Sequence, residues 1–259
     1  MAQTQTLDLF SQNLFTASAL DTISFASIER ALERDKFACI RGLVSADSIK
    51  HSRQQLCQQF SRCHDHPTIG ESPDDVKRNF QKLAVGSVHG KSHQGRYARL
   101  LRTFYNPLWA EDIYAMHDIF EVMITVRNRL LGKPDHFAQD TVDEGLWTAA
   151  RIHQYPTGGG FMGIHRDKTL ANVSRQANLN YFQILLIMTQ AGVDFERGGG
   201  FIEHNGQRTV FEQHCQLGDL IIYDSQTLHG VEEIDPHQLL DLERPTGRLA
   251  AFVSLYKSL

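Results

Sequence analysis

The sequence has few cysteines, no long apolar run and no excess of positive charge. Its four cysteines form no C-x-x-C pair in a chain of 259 residues, which argues against a disulfide scaffold and favours reduced thiols inside a cell. No apolar segment approaches the ~20 residues needed to cross a bilayer. The first twenty residues contain no Lys or Arg and do not resemble a secretory signal. We therefore expect a soluble cytoplasmic protein that does not associate with membranes.

Charge and apolar content are those of an ordinary globular domain. Lys and Arg total 26 against 30 Asp and Glu, for a net charge of −4 with His neutral, so a basic face for nucleic acid is not favoured. An apolar content of 41% is enough to bury one sizeable core. The chain has no repeats and no low-complexity linker. We predict a single domain over residues 1–259, while the oligomeric state cannot be inferred from these features.

The pattern of the chain changes near residue 145. Before it, helical periodicity dominates: one helix follows Ser45 as a cap, and another is predicted to start at Asn106-Pro107 and to stop before Gly132. The segment FACIRGLV at 37–44 predicts a strand. After residue 145, short candidate strands are separated by Gly, Asn and Asp; they are 147–155, 181–189, 199–203, 208–212, 219–223 and 248–256. This predicts an α+β protein in which a mainly helical half, 1–145, packs on a jelly-roll or barrel core, 146–259.

The stretch GGGFMGIHRDK at 158–168 contains two overlapping motifs with different chemistry. Gly158, Gly160 and Gly163 spell G-x-G-x-x-G, which binds a dinucleotide when it joins a strand to a helix. The segment that follows would make a poor crossover helix, because it offers few apolar residues for burial. The acidic residue expected after the next strand is also missing, since Asp194 lies 31 residues past Gly163. A tight turn that uses the conformational freedom of glycine is the better interpretation.

His165 and Asp167 form the second motif, H-x-D. In an extended strand, residues i and i+2 point to the same side, so an imidazole and a carboxylate can converge. A third ligand is available in GDLIIYDSQTLHG at 218–230, where His229 follows a buried strand. Two histidines and one carboxylate on one face of a metal leave positions open, as in non-haem Fe(II) oxygenases. The alternative is a hydrogen-bonded turn and an unrelated histidine, because 13 histidines make a chance match easy.

The order of these motifs resembles the Fe(II)/2-oxoglutarate-dependent oxygenase superfamily. The resemblance covers residues 147–256 and is carried by HQYPTGGGFMGIHRD, ERGGGFIEHN, GDLIIYDSQTLHGVEEIDP and GRLAAFVSLY. It implies a double-stranded β-helix with Fe(II) in its mouth, held by His165, Asp167 and His229, with 2-oxoglutarate and O₂ as cosubstrates. HRD followed by LHGVEEIDP looks most like bacterial hydroxylases of free amino acids. The implied reaction is hydroxylation of a small molecule, because halogenating members have a small residue where Asp167 stands.

The resemblance also implies a site for the distal carboxylate of 2-oxoglutarate. Arg248 lies 19 residues past His229, where the family places an arginine that holds this carboxylate through charge-assisted hydrogen bonds. Some members have a Ser two residues later, and that position is Ala250 here. A hydroxyl or amide on a neighbouring strand must then replace it; the candidates are Tyr155, Tyr181 and Gln183.

Other clusters could carry chemistry, and two other functions stay open. Cys63-His64-Asp65-His66 and the pair His89 and His93 could bind a metal, although exposed loops explain them better. The run Arg96, Arg99 and Arg102 is either a solvated face or a source of a guanidinium for a substrate carboxylate. Gly198-Gly199-Gly200 is expected to close a hairpin, and the loops 84–102 and 134–146 are expected to shape the substrate pocket. The open alternatives are the same chemistry on a peptide side chain and a metal-binding jelly roll that is not an oxygenase.

Overall fold

Two β-sheets enclose a cavity at the centre of the protein. A computed structural model describes residues 9–67, 73–86 and 98–257. The larger sheet has eight strands in the order β1 (Leu14–Thr16), β2 (Ala38–Arg41), β11 (Leu220–Asp224), β8 (Phe182–Ile187), β13 (Arg248–Lys257), β6 (Leu146–Tyr155), β5 (Leu101–Tyr105) and β3 (Phe80–Ala84). The smaller sheet has five strands in the order β10 (Gln207–Val210), β9 (Gly199–His204), β12 (Leu228–Ile234), β7 (Gly160–His165) and β4 (Ala98–Arg99).

Helices cover the outer face of the larger sheet. The described helices are α1 (Phe25–Asp35), α2 (Ala46–Gln59), α3 (Pro73–Val76), α4 (His117–Leu130) and α5 (Lys168–Gln176). The main core joins apolar side chains of α1, α2 and α4 to alternate residues of the strands, such as Ile184 and Leu186 of β8. The intervening residues, Gln183 and Leu185, line the cavity on the other face, as strand alternation requires. Within the described ranges, no helix is both long and apolar enough to cross a membrane.

The prediction of a mainly helical N-terminal half is not confirmed. The described part of this half contributes β1, β2, β3 and β5 to the larger sheet and β4 to the smaller one. Of these, only β2 was predicted, within the segment 37–44. The others have five residues or fewer, which is too short for a period of two to stand out against surrounding helical patterns. The N-terminal half therefore extends both edges of the larger sheet as well as covering it.

The helix predicted from Asn106-Pro107 begins ten residues later, at His117. Pro107 lies in a turn, where its carbonyl accepts a hydrogen bond from the backbone N–H of Ala110 at 3.0 Å. The carboxylate of Asp112 accepts the backbone N–H groups of Met116 and His117 at 2.9 and 3.1 Å. These are N–H groups that the first turn of a helix leaves without partners. Asp112, not Pro107, is therefore the residue that marks the start of α4.

The six strands predicted after residue 145 are present with small changes in their ends. The largest change is at 208–212, where β10 stops at Val210 and the chain continues as a 3-10 helix, Phe211–His214. Two more strands, β7 and β12, were not in the predicted set. They pair with each other, and they bring the H-x-D motif beside His229.

The G-x-G-x-x-G motif opens a strand. Gly158 and Gly159 have φ angles of +91° and +112° in the turn after β6, which only glycine adopts without strain. Gly160 begins β7, in the smaller sheet, whereas β6 and β8 lie in the larger one. The short helix α5 follows β7 and therefore does not connect two strands of one parallel sheet. The local structure that a dinucleotide-binding loop needs is not formed.

Candidate active site

His165, Asp167 and His229 come together at one end of the cavity. His165 is the last residue of β7 and pairs with His229 of β12, while Asp167 occupies the N-cap position of α5. The Nε2 atoms of His165 and His229 lie 3.4 and 3.6 Å from the two carboxylate oxygens of Asp167. The ligand atoms of the three side chains all lie within 4.8 Å of one another, and no other such group of three occurs among the described residues. The three side chains are brought together by a turn after β7 and not by one continuous strand.

Backbone carbonyls fix the orientation of both imidazoles. Nδ1 of His165 lies 2.9 Å from the carbonyl oxygen of Gly163, and Nδ1 of His229 lies 3.1 Å from that of Thr227. A carbonyl only accepts, so Nδ1 carries the proton in each ring and Nε2 keeps its lone pair. Two such lone pairs and a carboxylate facing one another repel unless a cation lies between them. The donor set therefore fits a divalent metal, with the outer hydrogen bonds that metal-bound histidines usually make.

Asp167 is held as an ionised carboxylate. Burial raises the pKa of the carboxyl, but beside the imidazoles of His165 and His229 the pKa nevertheless lies well below its usual range. The hydroxyl of Tyr181 lies 2.8 Å from Asp167 Oδ2 and 2.7 Å from Gln183 Oε1. Burial raises the pKa of Tyr181, so its hydroxyl stays a hydrogen-bond donor. Tyr181 therefore supports a candidate metal ligand, whereas the sequence suggested a contact to the cosubstrate.

A cavity of about 180 Å³ lies beside these three residues, between the two sheets. Its apolar wall includes Leu101, Met162, Leu185, Phe201, Val231 and Phe252. Its basic side chains are Lys82, Arg151 and Arg248. Asp167 is the only acidic residue among the described residues that line it. The cavity thus combines a candidate metal site, apolar walls and an excess of positive charge.

Arg248 forms a buried ion pair with Glu212, which the sequence did not identify as a site residue. The two side chains are 1% and 3% exposed. Arg248 Nε donates to both carboxylate oxygens at 2.8 and 2.9 Å, and Nη2 donates to Oε1 as well. Arg248 Nη1 is buried and has no hydrogen-bond partner among the residues that the structure describes. A buried donor without a partner costs about 1–3 kcal/mol, so an anion that reaches Nη1 from the cavity would be favoured.

The glycine run 198–200 makes room for this ion pair. A Cβ atom on Gly200 would lie 2.6 Å from the ring of Phe211 and 3.0 Å from Glu212 Oε1. The run was expected to close a hairpin, but β9 and β10 are joined at Asn205 and Gly206, because His204 pairs with Gln207. The absence of side chains at Gly199 and Gly200 instead allows the 3-10 helix after β10 to approach β9.

Two further predicted residues, Tyr155 and Gln183, both line the cavity but contact different side chains. Tyr155 is paired with Arg248 across β6 and β13, and the guanidinium carbon lies 5.2 Å from the centre of its ring. Gln183 Oε1 accepts a hydrogen bond from Ser254 Oγ at 3.2 Å and lies beside Tyr181. Tyr155 is therefore the neighbour of Arg248, while Gln183 and Tyr181 belong with Asp167.

The described members of the other clusters, Cys63 to His66 and Arg102, do not line the cavity. Arg102 is fully buried, and its Nε and Nη2 each donate to the carboxylate of Asp65 at 2.7 Å. Because its guanidinium is paired with Asp65, Arg102 is not available to bind a substrate carboxylate. Asp65 in turn is not available as a metal ligand together with Cys63, His64 and His66. His89, His93, Arg96 and the side chain of Arg99 lie outside the described residues.

Alternation in the sequence of β6 could have indicated that polar side chains of this strand share one face and line the cavity. In the buried strand WTAARIHQY, Arg151, His153 and Tyr155 alternate, so they share one face of β6. His153 is neutral: its burial lowers its pKa, and the charges of Arg151, Arg248 and Lys82 lower it further. Arg151 Nε donates to His153 Nε2 at 3.1 Å, which fits an unprotonated nitrogen.

We expect the neutral His153 to make the folded protein less stable as the pH falls. The unfolded chain binds a proton at this side chain below its ordinary pKa of 6.5, while the folded chain does not. Between about pH 7.5 and 5.5, this difference lowers the free energy of unfolding by about 1.4 kcal/mol. Urea denaturation at both pH values should show a smaller loss in His153→Gln than in the wild type. An identical loss in both proteins would contradict a neutral His153.

Solved structures of oxygenases share this fold. No protein-family model and no curated protein sequence matches the chain. A Trichoplax adhaerens prolyl hydroxylase in complex with a hypoxia inducible factor peptide fragment is similar, with a TM-score of 0.55 and 10% identity over 98% of this chain and 92% of that one. A Pseudomonas putida prolyl-4-hydroxylase has a TM-score of 0.53 and 14% identity over 91% of this chain and 100% of its own. The non-heme alpha ketoglutarate dependent epimerase SnoN from nogalamycin biosynthesis has a TM-score of 0.53 and 9% identity over 90% and 82%. At these identities the likeness shows the architecture alone, and the chain therefore has the fold of the Fe(II)/2-oxoglutarate-dependent oxygenases.

Proposed function

We propose that this chain is an Fe(II)- and 2-oxoglutarate-dependent oxygenase that hydroxylates a C–H bond of a small molecule, with free amino acids and related metabolites as the first candidates. The observation that carries the proposal is the convergence of His165, Asp167 and His229 within 4.8 Å in the cavity that Arg248 also lines. One group fits a divalent iron, and the other fits the distal carboxylate of a keto acid. The similar structures, two prolyl hydroxylases and an alpha ketoglutarate dependent epimerase, support the same chemistry.

The three ligands would hold Fe(II) through two nitrogens and one oxygen. When bound, the iron supplies the activation of O₂ that couples decarboxylation of 2-oxoglutarate to oxidation of the substrate. The chain orients the donors: the carbonyls of Gly163 and Thr227 keep each Nδ1 protonated, and Tyr181 donates to Asp167. Because Asp167 fills a protein ligand position, we propose hydroxylation or a related oxidation and not halogenation.

Arg248 would hold the distal carboxylate of 2-oxoglutarate. Its Nη1 has no partner among the described residues, and Glu212 keeps the guanidinium in a fixed position. A charge-assisted hydrogen bond in a buried site is stronger than the same bond in water. Tyr155, whose ring lies beside Arg248, is the proposed second contact. The apolar walls around the site exclude water from the reacting groups.

A peptide side chain is the second candidate substrate. Two similar structures are prolyl hydroxylases, and one of them was solved with a peptide fragment. A metal-binding protein that is not an oxygenase is a third alternative, but it would leave the buried Nη1 of Arg248 without a function.

Turnover of 2-oxoglutarate without substrate tests the proposed function. Purified protein with added Fe(II), ascorbate and 2-oxoglutarate should form succinate, measured by mass spectrometry. Omitting iron or adding a chelator should stop the formation of succinate, because the side chains of the site cannot activate O₂ without a bound metal. Binding of 2-oxoglutarate to protein loaded with Mn(II) provides a second measurement that does not require turnover. If neither succinate nor binding were detected, the chain would not be an oxygenase of this kind.

A further inference from the structure

His153 is a polar residue of the cavity to which the proposed function assigns no role. It lies on β6 and lines the cavity on the same face of the strand as Arg151 and Tyr155. In the larger sheet His153 pairs with Ala250 of β13, and the neighbouring pair on this face is Tyr155 with Arg248. The imidazole therefore lies next to the arginine that is proposed to hold the distal carboxylate.

The hydrogen bond from Arg151 decides which nitrogen of His153 carries the hydrogen. Nε of Arg151 donates to Nε2 of His153 at 3.1 Å, so Nε2 is the unprotonated nitrogen of the neutral ring and the hydrogen is on Nδ1. The ring is held against Phe252, with the two ring centres 4.5 Å apart. Nδ1 has no hydrogen-bond partner among the described residues. His153 thus presents one unused N–H donor in the cavity.

A carboxylate bound at Arg248 needs more donors than this arginine supplies. Its two oxygens offer about four acceptor sites. Nε and Nη2 of Arg248 donate to Glu212, which leaves Nη1 as the nitrogen without a partner within the described ranges. Ala250, the next residue on the same face of β13, has no polar side-chain atom. A further donor has to come from a neighbouring strand.

His153 meets this requirement better than the residues that support the metal ligands. The hydroxyl of Tyr181 lies within hydrogen-bond distance of Asp167 and Gln183, so it is already engaged. Positions 248 and 250 are two strand residues apart, or roughly 7 Å, and His153 lies directly opposite position 250. Side chains at this separation that project into one cavity can converge on a single carboxylate.

We propose that the Nδ1–H group of His153 donates a hydrogen bond to the distal carboxylate of 2-oxoglutarate, beside Arg248. This inference rests on the proposed function, because it takes 2-oxoglutarate as the ligand of Arg248. A neutral donor adds a hydrogen bond without the desolvation cost of another buried charge. His153 is then a binding residue of the cosubstrate, in addition to Arg248 and Tyr155.

The test is calorimetric titration of the protein loaded with Mn(II) with 2-oxoglutarate. His153→Gln and His153→Phe both lack an N–H group at the position of Nδ1, and Phe keeps a ring against Phe252. Both variants should bind 2-oxoglutarate about 10-fold more weakly or worse, which is the usual effect of losing one hydrogen bond to a charged group. Two variants are used so that the result does not depend on the folding of either one, which urea denaturation checks.

The matched control is His153→Asn. Nδ1 of histidine is attached to Cγ, as the amide nitrogen of asparagine is, whereas the amide nitrogen of glutamine is one bond further from the backbone. His153→Asn should therefore keep most of the affinity for 2-oxoglutarate. A second control is the ligand 2-oxopentanoate, which has a methyl group in place of the distal carboxylate. The wild type and His153→Gln should bind it equally, whereas general damage to the cavity would weaken both ligands.

Three results would overturn the inference: wild-type affinity for 2-oxoglutarate in both His153→Gln and His153→Phe, an equal loss of affinity for 2-oxopentanoate, or a loss in His153→Asn as large as in His153→Gln. Where 2-oxopentanoate does not bind, the comparison of Asn with Gln decides. If the wild type did not bind 2-oxoglutarate, the proposed function itself would fail. If the wild type bound it and the variants bound it equally well, only the role of His153 would fail.

Discussion

Replacing His165 by alanine is expected to abolish metal binding and all metal-dependent formation of succinate. The imidazole supplies one of three donors that lie within 4.8 Å of one another, and the remaining two leave a divalent ion weakly held. Loss of a residue that only orients a ligand typically weakens metal binding 10- to 100-fold, so loss of a ligand itself should exceed about 100-fold. Anaerobic calorimetric titration with Fe(II) measures this change directly.

The matched control for this variant is His237→Ala. His237 has 47% of its side chain exposed, and its contact to a carboxylate is with Glu196, away from the cavity. This control should keep the metal affinity and the succinate formation of the wild type. Because His165 is at the end of β7, its removal should leave the melting temperature of the metal-free protein nearly unchanged. Full turnover in His165→Ala would mean that the metal site is elsewhere.

Replacing Arg248 by methionine is expected to weaken 2-oxoglutarate binding and to destabilise the fold. The first effect follows from losing the proposed partner of the distal carboxylate, which costs about 2 kcal/mol or more, or about 30-fold in affinity. The second follows because Glu212, which is 3% exposed, would be left as an unpaired buried charge. Breaking one side of a buried ion pair costs about 3–5 kcal/mol. Calorimetry with 2-oxoglutarate and urea denaturation measure the two effects separately.

The double variant Arg248→Met with Glu212→Gln separates binding from folding. It removes both charges, and replacing a whole buried ion pair is often neutral for stability. We therefore expect the double variant to recover most of the stability that Arg248→Met loses, while its affinity for 2-oxoglutarate remains low. If the double variant regained 2-oxoglutarate affinity together with stability, Arg248 would have a structural role only.

A partly exposed ion pair, Glu203 with Arg208, serves as a comparison for the contribution of the buried pair to the free energy of unfolding. Glu203 lies 3.6 Å from Arg208, and the two side chains are 29% and 43% exposed. Ion pairs of this kind contribute about 0–1 kcal/mol, so Glu203→Gln should change the free energy of unfolding by no more than that. A similar small effect for Glu212→Gln alone would contradict the buried ion pair described for Arg248.

The site residues that could be predicted are those whose chemistry and spacing are local. His165 and Asp167 are two residues apart, and His229 follows a strand that reads as buried in the sequence. Such patterns specify residue types that bind metals and a strand that can present them. Six strands of the C-terminal half were predictable for the same reason, since each has its own turn signals, whereas β7 and β12 were not predicted. The short strands β1, β3, β4 and β5 have no such signals, because pairing with neighbours and not propensity makes them strands.

Arg102 and Arg151 show the limit of this reasoning. Both are arginines in strands, and alternation indicates which neighbours share a face with each of them. It does not indicate which face meets the cavity, because that depends on the register between strands and on what covers each sheet. Pairing of β5 with β3 and β6 directs Arg102 to Asp65, whereas Arg151 of β6 faces the cavity.

By itself, the sequence indicated the candidate metal ligands and the β-rich C-terminal half, because these depend on short-range spacing and strand period, while Arg248 was indicated by the resemblance to a known family. Only the tertiary structure decided that Glu212 pairs with Arg248, that Tyr181 contacts Asp167 and that Arg151 contacts Ser254. Each of these contacts joins residues on different elements. Their proximity is set by sheet order and by the space that Gly199 and Gly200 leave open, and no local pattern of residues encodes either one.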